Sequence, residues 1–244
     1  MKSFIKYITE RKILIENIEQ FKQDINKSFG HIIDTNKYIP NVEDSSKLFD
    51  IINKHCFDNK LKKIKIEVND FNKEKHTTKD GDVCIGRHWV VYDLGGKLDE
   101  ESHFPYENWI EIVNHRPIPF HDFVSILTHE MIHYYDLKYG DGKNGMESNA
   151  IKLHFGEELD ETDYDVHGSF FETESERIYK NFGIKIEKEY IMKENEKIDG
   201  SNVLIEEKSS ETAIKFAKIM NRILHKNKDV MIKVSGEKVA VGIA

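Results

Sequence analysis

The chain has 244 residues, of which 33% are charged, and its net charge at neutral pH is −8. This length suits one domain, or one domain with extensions, and it suffices to bury a substantial core. The composition excludes a chain that is disordered throughout, no apolar run approaches the ~18 residues of a membrane-spanning helix, and the negative charge argues against nucleic-acid binding by the whole surface.

The N-terminal part of the chain is predicted to be helical. Residues 1–6 lack the apolar core and the small-residue cleavage site of a signal peptide, so we expect them to belong to the mature protein. Apolar residues spaced three and four apart predict a helix over 3–29, and Gly30 is suited to end it. A second helix is expected to begin at Asp44 or Ser45 and to run to about residue 55.

Three strands are predicted next, each from apolar residues bounded by turn signals. They cover 64–68, 83–92 and 109–113. The only cysteines are Cys56, after the second helix, and Cys84, in the second strand. Two cysteines are too few for a disulfide framework, so we expect both to be small buried residues of a protein in the reducing cytoplasm. Abundant Lys, Ile and Asn indicate an AT-rich genome, bacterial or viral.

Residues 129–133 form the most informative motif, His-Glu-Met-Ile-His. They fall in a stretch that is predicted to be helical over about 120–138, with prolines before it and glycines after it. A helix turns once every ~3.6 residues, so His129 and His133 share one face, where two imidazoles can bind one metal ion. Glu130 then lies beside the open coordination position of that ion.

A third histidine, His167, opens a further predicted helix and is the expected third ligand. One Zn²⁺ held by three imidazoles keeps an open position and lowers the pKa of water to about 7. Glu130 would accept the proton of that water and pass it to the leaving nitrogen of a peptide bond. Alternatives for the third ligand are His154, Glu172 and Glu174.

The remaining sequence contains an acidic insert and a C-terminal extension. The insert, 140–166, would either favour basic peptides near the site or be a solvated loop. Beyond it we predict a strand within 184–192, a helix over 209–226 and a hairpin over 230–243, with its turn at Ser235 and Gly236.

One face of the predicted 209–226 helix is basic, opposite its apolar face. The stripe consists of Lys215, Lys218, Arg222 and Lys226. It is a candidate nucleic-acid contact, and the simpler interpretation is a solvated helix face.

Several segments resemble the SprT-like (Spartan-type) metalloprotease family. Residues 48–53 with 57–61 are similar to the opening helix of the family, and residues 83–86 are similar to its Cys-containing strand. Residues 129–133 are similar to its helix motif, and residues 167–171 resemble its H-G-x-x-F segment. Together they cover about 44–185. The domain organisation expected from this resemblance is an N-terminal helical extension over 1–43, a zincin domain over 44–185 and a C-terminal extension over 186–244.

The resemblance implies an α+β zincin fold, in which the metal helix packs under a small mixed sheet. It also implies an edge strand that binds an extended substrate by β-addition. By position, that strand would consist of Trp109, Ile110, Glu111, Ile112 and Val113. The match to the family motifs implies that His129, His133 and His167 are metal ligands and that Glu130 is the catalytic residue.

The predicted function is therefore that of a zinc-dependent endopeptidase acting on a protein or peptide substrate, with no membrane contact. One alternative is a non-catalytic protein that retains the zincin fold for interaction. Another is a DNA-associated protease targeted by the basic 208–233 segment.

Overall fold

The computed structural model describes residues 2–77, 82–96, 106–140, 167–187, 191–193, 203–224 and 230–243. Apart from Gly140, the predicted acidic insert lies outside these residues. None of the described helices combines the length and the apolar character needed to cross a membrane.

Helices and strands are mixed along the chain, which confirms the predicted α+β class. The helices are α1 Lys2–Phe29, α2 Val42–Cys56, α3 Lys73–His76, α4 Phe120–Tyr139, α5 Ser169–Phe182 and α6 Glu211–Ile223. The strands are β1 Lys65–Asp70, β2 Asp82–Cys84, β3 Gly86–Asp93, β4 Tyr106–Asn114, β5 Ile191–Lys193, β6 Val203–Ile205, β7 Met231–Ser235 and β8 Lys238–Ile243.

Local chemistry accounts for the ends of several elements. Helix α2 begins earlier than predicted because Asn41 caps it, its side chain accepting a hydrogen bond from the backbone N–H of Asp44 at 2.9 Å. Helix α5 ends at Gly183, whose φ of 74° is left-handed. The predicted C-terminal hairpin is confirmed, and Gly236 at its turn has a φ of 58°.

Six of the strands form one mixed sheet in the order β1-β4-β3-β8-β7-β6. The pairs β1–β4 and β6–β7 are parallel, and the other neighbours are antiparallel. The hairpin predicted as part of a C-terminal extension thus joins the same sheet, because β8 pairs with β3. The short strands β2 and β5 form a separate antiparallel pair.

The predicted edge strand is an interior strand. Strand β4, which contains Trp109–Val113, lies between β1 and β3. Trp109, for example, is paired with both Lys65 and Trp89. The prediction of a substrate-binding edge at Trp109, Ile110, Glu111, Ile112 and Val113 is therefore wrong, because the backbone groups on both sides of β4 already face neighbouring strands.

Two clusters of buried apolar residues form the core. The larger cluster lies among α1, α2, α4, α5 and the β1–β4 side of the sheet. The smaller cluster packs α6 against β3, β7 and β8. Phe21, Ile25 and Phe29 of α1 belong to the larger cluster, so this helix packs on the body of the protein. Both cysteines are buried, as predicted.

Candidate metal centre

Helix α4 and His167, two residues before α5, bring three imidazoles together. The Nε2 atom of His129 lies 3.0 Å from Nε2 of His133 and 3.2 Å from Nε2 of His167. One ring nitrogen from each residue lies within 4.8 Å of the others, and all three residues are buried. Among the described residues, this is the one cluster of three or more candidate ligands.

The other proposed third ligands lie elsewhere. Glu172 is exposed on α5, and Glu174 accepts hydrogen bonds from the guanidinium of Arg177 at 2.7 and 2.9 Å. His154 lies outside the described residues. Of the candidates that the structure describes, His167 alone joins the α4 pair.

Phe171, in the first turn of α5, fixes the cluster from one side. Its buried ring lies 4.7 Å from the ring centroids of His129 and His167 and 5.1 Å from that of His133. An apolar ring in contact with all three imidazoles limits their rotation and excludes water from that side.

Burial keeps two histidines of this cluster, His129 and His133, neutral. It lowers the pKa of His129 to about 3, with a smaller contribution from His167 and an opposing one from the carbonyl of Glu187. Burial, followed by His129 and His167, also holds the pKa of His133 well below its usual value. Neutral imidazoles offer lone pairs, which is the form that binds a metal ion.

The backbone of Glu187 sets the orientation of His129. Nδ1 of His129 lies 2.9 Å from the carbonyl oxygen of Glu187, and a carbonyl can only accept. The proton of the neutral ring therefore sits on Nδ1, which leaves the Nε2 lone pair directed at the other histidines. Ser125, one turn earlier, donates to the carbonyl of Lys185 at 2.7 Å and holds the same segment along α4.

Glu130 points from α4 towards β3. A Cβ atom at Gly86 would lie 2.5 Å from Oε1 of Glu130, and the carboxylate accepts a hydrogen bond from the backbone N–H of His88. The side chain is buried, and among the described residues its Oε2 has no hydrogen-bond partner. Burial raises the pKa of Glu130 well above its usual value, although the charge of Arg87 and the His88 N–H oppose the shift.

Two residues of the site, Gly86 and His88, were not predicted from the sequence. His88 is 1% exposed, its ring packs 5.7 Å from that of Tyr134, and burial lowers its pKa to about 3. The glycine at position 86 could have been recognised from the sequence, since a glycine inside a strand often marks a close approach of another group.

The predicted substrate-binding residues are not brought to this centre as a group. Ile110 and Ile112 belong to the core, while Glu111 alternates with them and so faces the opposite side of the sheet. There Glu111 accepts hydrogen bonds from Nε1 of Trp89 at 2.7 Å and from Asn69 at 2.8 Å.

The basic stripe lies on α6, far along the chain from the histidines. Lys215 and Lys218 are exposed, whereas the opposite face of α6 contributes Phe216 and Met220 to the smaller core. Arg222 belongs to α6, and Lys226 lies outside the described residues. Nucleic-acid binding by this stripe stays a prediction.

A comparison of the sequence with models of known protein families finds no match. A comparison with curated protein sequences finds none either. The functional assignment therefore rests on the residues of the site.

Proposed function

We propose that this protein is a zinc-dependent peptidase of the SprT-like, zincin type. Its metal ligands are His129, His133 and His167, and Glu130 is its general base. The observation that carries the proposal is the convergence of three buried imidazoles directly beside a buried carboxylate in the same helix. Three protein ligands and one free position are the arrangement of catalytic rather than structural zinc sites.

The donor set supports zinc among the metals of proteins. All three donors are imidazole nitrogens, and no thiolate or carboxylate joins the cluster within the described residues. Imidazole suits zinc and other transition metals, whereas calcium and magnesium prefer oxygen ligands. The hydrogen bond from Nδ1 of His129 to a backbone carbonyl is typical of a histidine that holds a metal through Nε2.

Glu130 performs the proton transfers of the proposed hydrolysis. When bound, a zinc ion supplies Lewis acidity to the scissile carbonyl. Oε2 of Glu130, which has no hydrogen-bond partner among the described residues, accepts a proton from the attacking water as the hydroxyl oxygen bonds to the carbonyl carbon. The same proton then passes to the leaving nitrogen as the C–N bond breaks, so one water is consumed and Glu130 returns to its starting state.

Metal content and hydrolysis together test the proposal. The chain, purified without chelators, is expected to contain one zinc per molecule and to hydrolyse unfolded protein or peptides. Glu130→Gln keeps all three ligands, so it should retain the metal and lose hydrolysis, whereas His129→Ala should lose both. Equal hydrolysis by the Glu130→Gln variant would show that another group activates the water.

A further inference from the structure

The face of the sheet opposite to α4 contains a second polar cluster. Gly86 and His88 of β3 face α4, so Arg87 and Trp89 of the same strand face the other side. Trp89 is paired with Gly242 of β8, where a Cβ atom would lie 2.9 Å from two atoms of the indole and 2.5 Å from Cδ of Arg87. The absence of a side chain at position 242 thus lets both side chains lie close to β8.

Two cations lie against the Trp89 ring. Nζ of Lys233, on β7, lies 4.3 Å from the ring centroid, and Cζ of Arg87 lies 5.4 Å from it. A third cation belongs to Lys75, whose carbonyl accepts a hydrogen bond from Nη1 of Arg87 at 3.3 Å. Burial lowers the pKa of the Lys233 amine, the carboxylate of Glu111 opposes this shift, and the charges of Arg87 and Lys75 add to it. The three cations are therefore close enough to repel one another.

Glu111 is the carboxylate of this cluster, and its oxygens already have hydrogen-bond donors. Oε2 accepts from Nε1 of Trp89 at 2.7 Å, while Oε1 accepts from Asn69 at 2.8 Å and lies 3.4 Å from Nε2 of His76. Nδ1 of His76 accepts from the backbone N–H of Asn72 at 2.8 Å, so the ring is neutral and its proton lies on Nε2, towards Glu111. Glu111 thus supplies one negative charge but has little capacity to bind a further donor.

The cations lack partners of this kind. Arg87 is 3% exposed and, in the part of the chain that the structure describes, it forms no ion pair and its Nε has no hydrogen-bond acceptor. Lys233 and Lys75 form no ion pair with a described residue either. A guanidinium is seldom buried without a counterion, because an unpaired charge loses its hydration. The cluster therefore has more donors than acceptors.

The charge of the cluster indicates the class of ligand. Arg87, Lys233 and Lys75 carry three positive charges, Glu111 carries one negative charge and His76 is neutral, so two positive charges are not compensated. A phosphate monoester carries roughly two negative charges at neutral pH. Its oxygens accept hydrogen bonds from both ammonium and guanidinium groups.

We propose that Arg87, Lys233 and Lys75 form a binding site for a phosphate group with two negative charges, either free phosphate or a phosphomonoester. The ammonium groups of Lys233 and Lys75 donate to the phosphate oxygens, and Arg87, the most buried of the three, contributes chiefly its charge. Strand β3 separates this site from Glu130, so the site is distinct from the metal centre and independent of the proposed peptidase function.

Calorimetry with the full chain and inorganic phosphate tests the site. Lys233→Met should weaken binding at least about tenfold, because it removes a charge-assisted hydrogen bond and keeps an apolar stem of similar length. Lys233→Arg keeps the charge and should bind within about threefold of wild type. Lys218→Met is the matched control, since Lys218 is exposed on α6, on the other face of the sheet. Unchanged binding in Lys233→Met would overturn the proposal and assign any bound phosphate to another site, such as a zinc ion.

Tryptophan fluorescence provides a second measurement of the same site. Trp89 and Trp109 are the only tryptophans of the chain, and their rings stack with centroids 5.8 Å apart. Phosphate that binds Lys233 changes the charge against the Trp89 ring, so the emission should change and saturate at the same phosphate concentrations as in calorimetry. Saturable binding without a fluorescence change would place the phosphate elsewhere and overturn the proposal.

Two phosphate esters test the charge and the source of the ligand. Dimethyl phosphate carries one negative charge and should bind at least about tenfold more weakly than inorganic phosphate at about pH 8, where the latter is a dianion. Equal or tighter binding of dimethyl phosphate would overturn the assignment to a dianion and indicate phosphodiesters. Within the proposal, tighter binding of phenyl phosphate than of inorganic phosphate would identify a phosphomonoester as the ligand, and the reverse order would identify free phosphate.

Discussion

Gly86 and Glu130 are in such close contact that no larger residue fits at position 86 without displacement. A Cβ atom there would lie 2.5 Å from Oε1 of Glu130 and 2.8 Å from Cγ2 of Ile126. Both neighbours project from buried positions of α4, which leaves them little freedom to move aside. The position of the proposed general base thus depends on the absence of a side chain on the facing strand.

We expect Gly86→Ala to lower kcat by about a hundredfold, because a displacement of the base by about 1 Å has an effect of that size. The atoms nearest to a Cβ at position 86 belong to Glu130 and Ile126 rather than to the histidines, so zinc content measured by mass spectrometry should be unchanged. Gly95→Ala is the matched control, since the atoms nearest to the added methyl group belong to the Glu237 side chain, whose flexible carboxylate end can move aside. A Gly86→Ala enzyme with wild-type kcat would show that Glu130 is not the base.

The convergence of the imidazoles predicts that His167→Ala weakens zinc binding more than a hundredfold. Removing a partner outside the coordination sphere already costs about 10- to 100-fold in affinity, and His167 is proposed to bind the ion itself. Competition with a chelator of known affinity measures the change. His121→Ala serves as the control, because that side chain is 76% exposed. Unchanged affinity in His167→Ala would mean that a residue outside the cluster provides the third bond.

The contact between His129 and Glu187 predicts that zinc affinity depends on the backbone of Glu187 and not on its side chain. The carbonyl oxygen of Glu187 lies 2.9 Å from Nδ1 of His129. Glu187→Ala keeps that carbonyl, so its zinc affinity should stay within about twofold of wild type, in contrast to the large losses typical when a side-chain partner of a ligand is removed. A tenfold loss in the chelator competition would indicate that the carboxylate supports the site directly.

Local patterns were sufficient to predict the centre of the site. His129, Glu130 and His133 depend only on the helical repeat, and apolar residues on both sides indicated the helix. The approach of His167 depends on the packing of α5 against α4, which the resemblance to a family supplied and the spacing of residues did not. The orientation of His129 by a backbone carbonyl leaves no trace in residue types.

Strand order was the part that local patterns could not determine. The alternation at 230–243 and its Gly236 turn predicted a hairpin, yet nothing in those residues specifies β3 as the neighbour of β8. Pairing between strands so distant in sequence depends on the burial of Val239, Val241 and Ile243 against α6. The misplacement of the edge strand at Trp109–Val113 has the same origin, because an edge is a property of the whole sheet.

Asp24 of α1 should contribute to stability in a pH-dependent manner. Its Oδ2 accepts hydrogen bonds from Nζ of Lys54 at 2.6 Å and from Nε2 of His55 at 2.8 Å, and these contacts join α1 to α2. The Lys54 contact, followed by that of His55, holds the pKa of Asp24 well below its usual value. A carboxylate with a depressed folded-state pKa stabilises the fold above its unfolded pKa of about 3.9, and the contribution is lost as the pH falls through the folded pKa.

Asp24→Asn should therefore lower the free energy of unfolding by about 1 to 2 kcal/mol at pH 7, the range for a partly exposed charged hydrogen bond. The difference from wild type should stay constant down to about pH 5 and shrink below about pH 4, as the wild-type carboxylate takes up a proton. Urea unfolding at several pH values measures the loss of unfolding free energy and its dependence on pH. Asp50→Asn, which removes an ion pair with Lys63 between two largely exposed side chains, should change stability little at any pH. A difference that grew as the pH fell would mean that the Asp24 carboxylate destabilises the docked helix, contrary to the geometry of its two contacts.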